Sequence, residues 1–222
     1  MSKLKKNLIV AAVMAAAFAV ALGSFLLFKP ATREGTGLNV QPAAEAVPVR
    51  GDSHRLTTPK RSELTVVEFL DFECEACGAV HPIVEKLREE YGDRVTFVAR
   101  YFPMPGHKNG EPAARAAEAA ARQGRFEEMY AKLFTTQKEW GEAQDSRESV
   151  FRDYARQIGL DLRKFDAALA DPKTAERVKA DQRDGLALGV QGTPTFLLDG
   201  VKISTPRSYE AFKALIDARL AD

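Results

Sequence analysis

The chain of 222 residues carries only two cysteines, three histidines and one tryptophan. Two cysteines exclude both a cysteine-rich metal cluster and a network of disulfide staples. Charge of one sign is lacking as well: 32 lysines and arginines stand against 31 aspartates and glutamates, a formal charge of +1. That balance gives no reason to expect nucleic acid or a strongly acidic partner. There is no internal repeat and no low-complexity tract, so collagen-like and disordered chains are excluded. With 45% hydrophobic residues, the chain can build a real core.

One apolar run stands apart. Lys3, Lys5 and Lys6 precede an uncharged stretch from Leu8 to Phe28. About 20 apolar residues cross a bilayer as a helix, whereas a secretory hydrophobic region is usually only ~7–15. The nearest cleavage candidate, Gly23-Ser24, is followed by the apolar Phe25-Leu26-Leu27-Phe28. Residues 1–29 are therefore expected to be a cytoplasmic N-terminus and an uncleaved transmembrane anchor, placing the remainder outside the cytoplasm. The lysines favour that orientation, although Lys29 and Arg33 weaken the charge bias. No cysteine near the run could take a lipid. Residues 30–46, with Pro30, Gly35, Gly37 and Pro42, read as a flexible linker. A folded unit is expected over 47–222, opening with Val47-Pro48-Val49-Arg50 as a short edge strand.

The folded unit reads as α/β. Leu64 to Phe72 is nearly continuous in apolar and β-branched residues, as in a buried central strand. Val80, Ile83, Val84, Leu87 and Tyr91 then recur at helical spacing up to Gly92, and Val95–Tyr101 is a second strand. Strand, crossover helix and strand form a βαβ unit. The middle is helical: an alanine-rich helix with Pro112 at its first position, then Arg125–Gln137, Arg147–Ile158, Leu162–Ala170 and Pro172–Leu188. Thr195–Leu198, the turn Asp199-Gly200 and Val201–Ile203 form a hairpin, and a closing helix starts at Ser208.

Both cysteines lie where that first strand meets its helix, as Cys74-Glu75-Ala76-Cys77. At a helix start, unpaired N–H groups and the helix dipole stabilise a thiolate, the species that carries out disulfide exchange. Three plainer readings compete. A structural disulfide across two residues closes too small a loop to restrain the unfolded chain much. A metal site would need His54, His81 or His107 to complete a tetrahedral set. A haem link would need histidine directly after Cys77, where Gly78 stands.

The run from Val67 to Cys77, together with Gly192-Thr193-Pro194-Thr195-Phe196, resembles the DsbA-type thiol:disulfide oxidoreductases. Tyr101–His107 and the Pro112–Ala120 segment are similar to membrane-anchored bacterial members of that group. The resemblance implies a thioredoxin fold with an α-helical domain inserted between its βαβ and ββα halves, here over about 106–189. The long stretch between Cys77 and Pro194 suits that version.

On this resemblance Cys74 is the exposed nucleophile and Cys77 the resolving thiol. Pro194 is the family's cis-proline, and Thr193 presents its backbone to an extended client. Glu68 matches a buried acid that relays a proton at the resolving cysteine; a plainer reading makes it a half-exposed acid at the sheet rim. His81 is expected to pack rather than to catalyse. Where well-known oxidases carry Pro-His between the cysteines, this chain has Glu75-Ala76, with Glu73 just before. Two nearby carboxylates should disfavour the Cys74 thiolate and make a milder oxidant. The resemblance implies an extracytoplasmic, monomeric domain on a single-pass anchor, needing no cofactor or metal. It would act on the thiols of exported client proteins and be re-oxidised by a membrane partner of the DsbB or vitamin K epoxide reductase type. The alternatives are a reductase or isomerase fed by a membrane thiol transporter, and a non-enzymatic chaperone or metal-delivery module.

Overall fold

The computed structural model describes residues 46–221. The expected anchor and nearly all of the linker lie outside the described residues. Among the described residues, no helix is long and apolar enough to cross a membrane.

A five-stranded sheet in the order β1-β3-β2-β4-β5 organises the chain. Its strands are β1 (His54–Arg55), β2 (Leu64–Leu70), β3 (Val95–Tyr101), β4 (Thr195–Leu198) and β5 (Val201–Ile203). β2 and β3 run parallel in register, Leu64 beside Val95 through Leu70 beside Tyr101. Helix α1 (Glu75–Tyr91) makes the crossover between them. The remaining pairs are antiparallel. β2 is central, which explains why Leu64-Thr-Val-Val-Glu-Phe-Leu70 lacks the alternation of a half-exposed strand. Val66 and Leu70 join the large core beneath α1, whereas Val67 and Phe69 join Val98, Phe102 and Leu197 on the opposite face.

Between β3 and β4 the chain forms α2 (Gly110–Ala121), α3 (Phe126–Thr135), α4 (Gln137–Trp140), α5 (Glu148–Gln157), α6 (Leu162–Ala170) and α7 (Pro172–Ala187). The alanines of α2 are its buried face, and their small size lets neighbouring helices approach closely. Asp171 caps α7, its carboxylate accepting the Lys173 N–H at 2.9 Å. In the β4–β5 hairpin Asp199 and Gly200 have φ of 46° and 80°, the left-handed pair that such a turn requires. Ser208 then caps α8 (Tyr209–Leu220) by accepting the Ala211 N–H.

Two expectations are corrected. Val47–Arg50 is not a strand, because the Val47 and Pro48 carbonyls accept hydrogen bonds from the Arg100 guanidinium at 3.0 and 2.6 Å; the edge strand is His54–Arg55. Pro112 is the third residue of its helix, not the first. The Asn109 N–H is tied to Glu73 Oε2 at 2.6 Å, and a Cβ on Gly110 would stand 2.6 Å from Asp71 Oδ1. Contact with the acids beside Cys74 therefore sets where α2 begins.

Candidate active site

β2 ends at Leu70, and Asp71 organises the turn that follows. Its Oδ1 accepts the Glu73 N–H at 2.9 Å, and its backbone carbonyl accepts the Cys74 N–H at 3.1 Å. Oδ2 accepts the Met104 N–H at 2.8 Å and bonds His107 Nδ1 at 2.6 Å. The turn delivers Cys74 to the N-cap position of α1 with extended backbone (φ −67°, ψ 119°). The Cys74 sulfur is half-buried, while Cys77, one turn into the helix, is fully buried.

The two thiols are driven apart electrostatically. The Cys74 thiol is pulled down to about 5, first by the hydrogen bond that Cys77 donates to it, against the opposing effect of burial. The Thr193 side chain and the Cys77 and Ala76 N–H groups add to the pull. Among the described residues the buried Thr193 hydroxyl has no other hydrogen-bond partner, so it is free to serve the thiolate. Cys77 is pushed well above its usual value by burial, by donating to Cys74 and by the charge of Glu68. Opposite the pair stands Thr193–Pro194, a cis peptide, with the Thr193 carbonyl 3.3 Å from Cys74 Sγ.

Glu68 is only 4% exposed, which settles its position in the core rather than at the rim. By strand alternation it shares the face of Val66 and Leu70 beneath α1. Burial, then the charges of Glu85 and Cys74, raise its carboxyl to about 8. His81 packs against Tyr130 and Phe134, at ring distances of 5.3 and 4.8 Å. Burial lowers its pKa, as expected of a packing residue. Among the described residues, no three of the His, Cys, Asp and Glu side chains are grouped so as to hold a metal ion.

A family profile described as thioredoxin matches residues 59–218. The chain belongs to the thioredoxin family. Among solved structures, this thioredoxin-family chain is similar to a thioredoxin-like oxidoreductase from Silicibacter pomeroyi (TM-score 0.67, 24% identity, 81% of this chain and 98% of that one). It is also similar to alpha-DsbA1 of Wolbachia pipientis (TM-score 0.69, 20% identity, 78% and 93%). A third is a periplasmic thioredoxin-like protein from Salmonella enterica serovar Typhimurium (TM-score 0.62, 24% identity, 77% and 91%). These likenesses establish the fold, helical insertion included. In sequence the chain is 34% identical over 218 residues to a Na(+)/H(+) antiporter NhaA of Herminiimonas arsenicoxydans, matching 98% of this chain and 34% of that protein. It thus spans about a third of that relative's length, and ion transport is not carried over to it.

Several residues that hold this thioredoxin-family site escaped the sequence reading. Gln137, at the start of α4, donates from Nε2 to the carbonyls of Phe72 and Cys74 at 2.7 and 2.9 Å. It thereby clamps the helical insertion onto the active-site turn. Gly78 is needed for that contact, since a Cβ there would lie 2.1 Å from Gln137 Oε1. Glu73 is buried and turned onto the Asn109 N–H. The expectation that Glu73 and Glu75 disfavour the Cys74 thiolate is therefore corrected: hydrogen-bond donors at the helix start dominate. The one available signal was Asp71, an acid directly after the β2 strand and three residues before a cysteine.

Proposed function

We propose that this chain is a protein thiol:disulfide oxidoreductase of the DsbA type that introduces disulfide bonds into exported proteins. One observation carries the reading: a half-exposed helix-start thiol lowered to about 5, paired with a buried thiol raised well above its usual value. Such a pair is stabilised when reduced, because Cys74 is then a thiolate at neutral pH, and so its disulfide is readily given away.

In the oxidised enzyme a client thiolate attacks Cys74 Sγ, the Cys74–Cys77 bond breaks, and Cys77 leaves. A second client thiolate attacks the client sulfur of the mixed disulfide and releases Cys74 as thiolate. The client loses two electrons and the enzyme pair gains them. Glu68, with its carboxyl near 8, supplies the proton that Cys77 Sγ takes up on leaving and recovers it on re-oxidation. Thr193 and Pro194 line the site where the client strand lies, the Thr193 backbone offering it main-chain hydrogen bonds. Electrons leave through a quinone-linked membrane partner of the DsbB or vitamin K epoxide reductase type. The domain works as a monomer on the extracytoplasmic side, held by a single-pass anchor over residues 1–29. The likeness to a periplasmic protein supports that location.

The test is oxidative refolding of reduced ribonuclease together with the redox state of Cys74–Cys77 in cells. The wild type should refold the client and be oxidised at steady state, and Cys74→Ser should be inactive. A pair found reduced in cells would assign the chain to reduction or isomerisation. Equal behaviour of wild type and Cys74→Ser would remove the enzymatic reading.

A further inference from the structure

Beside the active-site turn lies a cavity of about 470 Å³. It is bounded by the Pro103–Lys108 segment, the first turns of α2 and the outer face of α7. Its apolar floor includes Met104 and Val178, and its ionisable lining is lopsided: His107, Lys108, Arg115 and Lys179 against Glu111 alone. Lys108, Lys179 and Glu111 form no ion pair among the described residues. Arg115 spends one Nη on the Leu169 carbonyl, and its buried Nε has no hydrogen-bond partner.

The cavity is also wired to the nucleophile. His107 in its wall bonds Asp71 at 2.6 Å, and Asp71 accepts the Cys74 N–H. The same Asp71 carboxylate holds the N–H of Met104, another lining residue. Against burial, which lowers it, the His107 imidazole is raised by Asp71 and then by the Cys74 charge. The cavity wall therefore adjoins the turn that presents Cys74.

We propose that this cavity binds a carboxylate carried by the thiol or disulfide that reacts at Cys74. The inference rests on the exchange reading above and names the substrate chemistry that reading leaves open. Two sources share the chemistry: an anionic low-molecular-weight disulfide of the glutathione kind, and a glutamate or aspartate near a client cysteine. For the small disulfide the balance is simple. The Cys74 thiolate attacks one sulfur and expels the other half as thiolate. Cys77, deprotonated, then attacks Cys74 Sγ and expels the second half. The enzyme loses two electrons, and the disulfide becomes two thiols.

The experiment measures second-order rates of the reduced full-length protein with three disulfides: glutathione disulfide (anionic), hydroxyethyl disulfide (neutral) and cystamine (cationic). A parallel arm uses mixed-disulfide peptides carrying Glu, Gln or Lys close to the cysteine. Wild type should prefer the anionic member of at least one arm. The double variant Lys108→Glu/Lys179→Glu should lose that preference by a factor on the order of ten, with the hydroxyethyl disulfide rate unchanged. An effect confined to glutathione disulfide assigns the low-molecular-weight source, and one confined to the Glu peptides assigns the client side chain. Charge-independent rates in both arms overturn the proposal. Binding is read separately by titrating Cys74→Ser with glutathione disulfide and with the Glu peptide, with and without the two lysine changes. Should the neutral disulfide react equally with wild type and Cys74→Ser, the exchange reading fails on its own, and the titration still decides the cavity.

Discussion

Two clusters of buried charge lie on opposite faces of the same sheet, and they are built by opposite rules. On the face of Val98 and Phe69, Arg100 is fully buried, and each of its three nitrogens has a partner. Its Nε meets Asp181 at 2.5 Å and its Nη2 meets Asp184 at 2.6 Å, while Arg50 and Arg177 close the outer sides of the two carboxylates. The remaining Arg100 donor holds the Val47 and Pro48 carbonyls. On the α1 face, Glu68 is equally deep, yet among the described residues no cation lies within ion-pair distance of it. Arg50, Arg100 and their partners hold the entry segment onto β3 and α7. Glu68 and the cysteines are left with altered proton affinities that the proposed chemistry uses. Glu68 differs from the Arg100 cluster in having burial without a compensating partner, and the proposed chemistry draws on that difference.

The largest expected effect breaks the paired side. Arg100→Met leaves Asp181 and Asp184 with less compensation than their burial needs, and should cost about 3–5 kcal/mol of unfolding free energy. The Cys74 thiolate, on the other face, should still titrate near 5 in the folded fraction. Denaturant unfolding gives the first number, and thiolate absorbance against pH gives the second. A shifted Cys74 titration would show that the two clusters are coupled through the sheet.

Glu68→Gln tests the unpaired side and should have the opposite sign. The native carboxyl titrates near 8, and its ordinary value is 4.5. Folding therefore takes up a proton between those limits, and wild-type stability falls as pH rises from about 4.5 to about 8. The variant lacks this slope, so it should match wild type at pH 4 and exceed it by a few kcal/mol at pH 9. Its exchange rate should fall and lose the pH-dependent limb near 8. Parallel stability curves for the two proteins would remove the raised carboxyl from the account.

Much of this was legible in the residues, and the limits have physical causes. The β2 run, the Asp199-Gly200 turn and the helix starts at Pro172 and Ser208 are local signals, and each appears where its chemistry predicts. Cys74-Glu-Ala-Cys77 was readable for the same reason. What was hidden depends on contacts distant in sequence. Arg100 overrides the strand pattern of Val47–Arg50, and Glu73 reaches Asn109 to set the start of α2. Glu73 also shows why charge near a thiol is a poor guide without geometry: a carboxylate one residue from Cys74 is spent on the Asn109 N–H.

Gln137→Ala probes how the insertion holds the turn. It removes two donors from buried carbonyls and should cost about 1–3 kcal/mol. Because Gln137 grips the Cys74 carbonyl, hydrogen exchange at the start of α1 should accelerate more than at the end of that helix. Uniform acceleration along α1 would mean that the clamp acts only through global stability.

The smallest effect is expected at His81, which sits one turn beyond Cys77 yet belongs to the packing between α1 and α3. Its Nε2 is buried without a hydrogen-bond partner and lies 3.8 Å from Glu85 Oε1. Burial keeps the ring neutral in the folded state to lower pH than in the unfolded chain. Wild-type stability should therefore decline as pH falls below about 6.5, where the unfolded imidazole gains its proton. Phenylalanine keeps the stack against Tyr130 and Phe134 and removes the unpartnered nitrogen. His81→Phe should stay within about 1.5 kcal/mol of wild type at pH 8 and should gain on it as the solution is acidified. Client oxidation at pH 8 should be unchanged. A large loss of turnover in a variant that folds normally would move His81 from the packing of α1 into the proton path of Cys77 and Glu68, and the divide between paired structural charge and unpaired functional charge would have to be redrawn to include it.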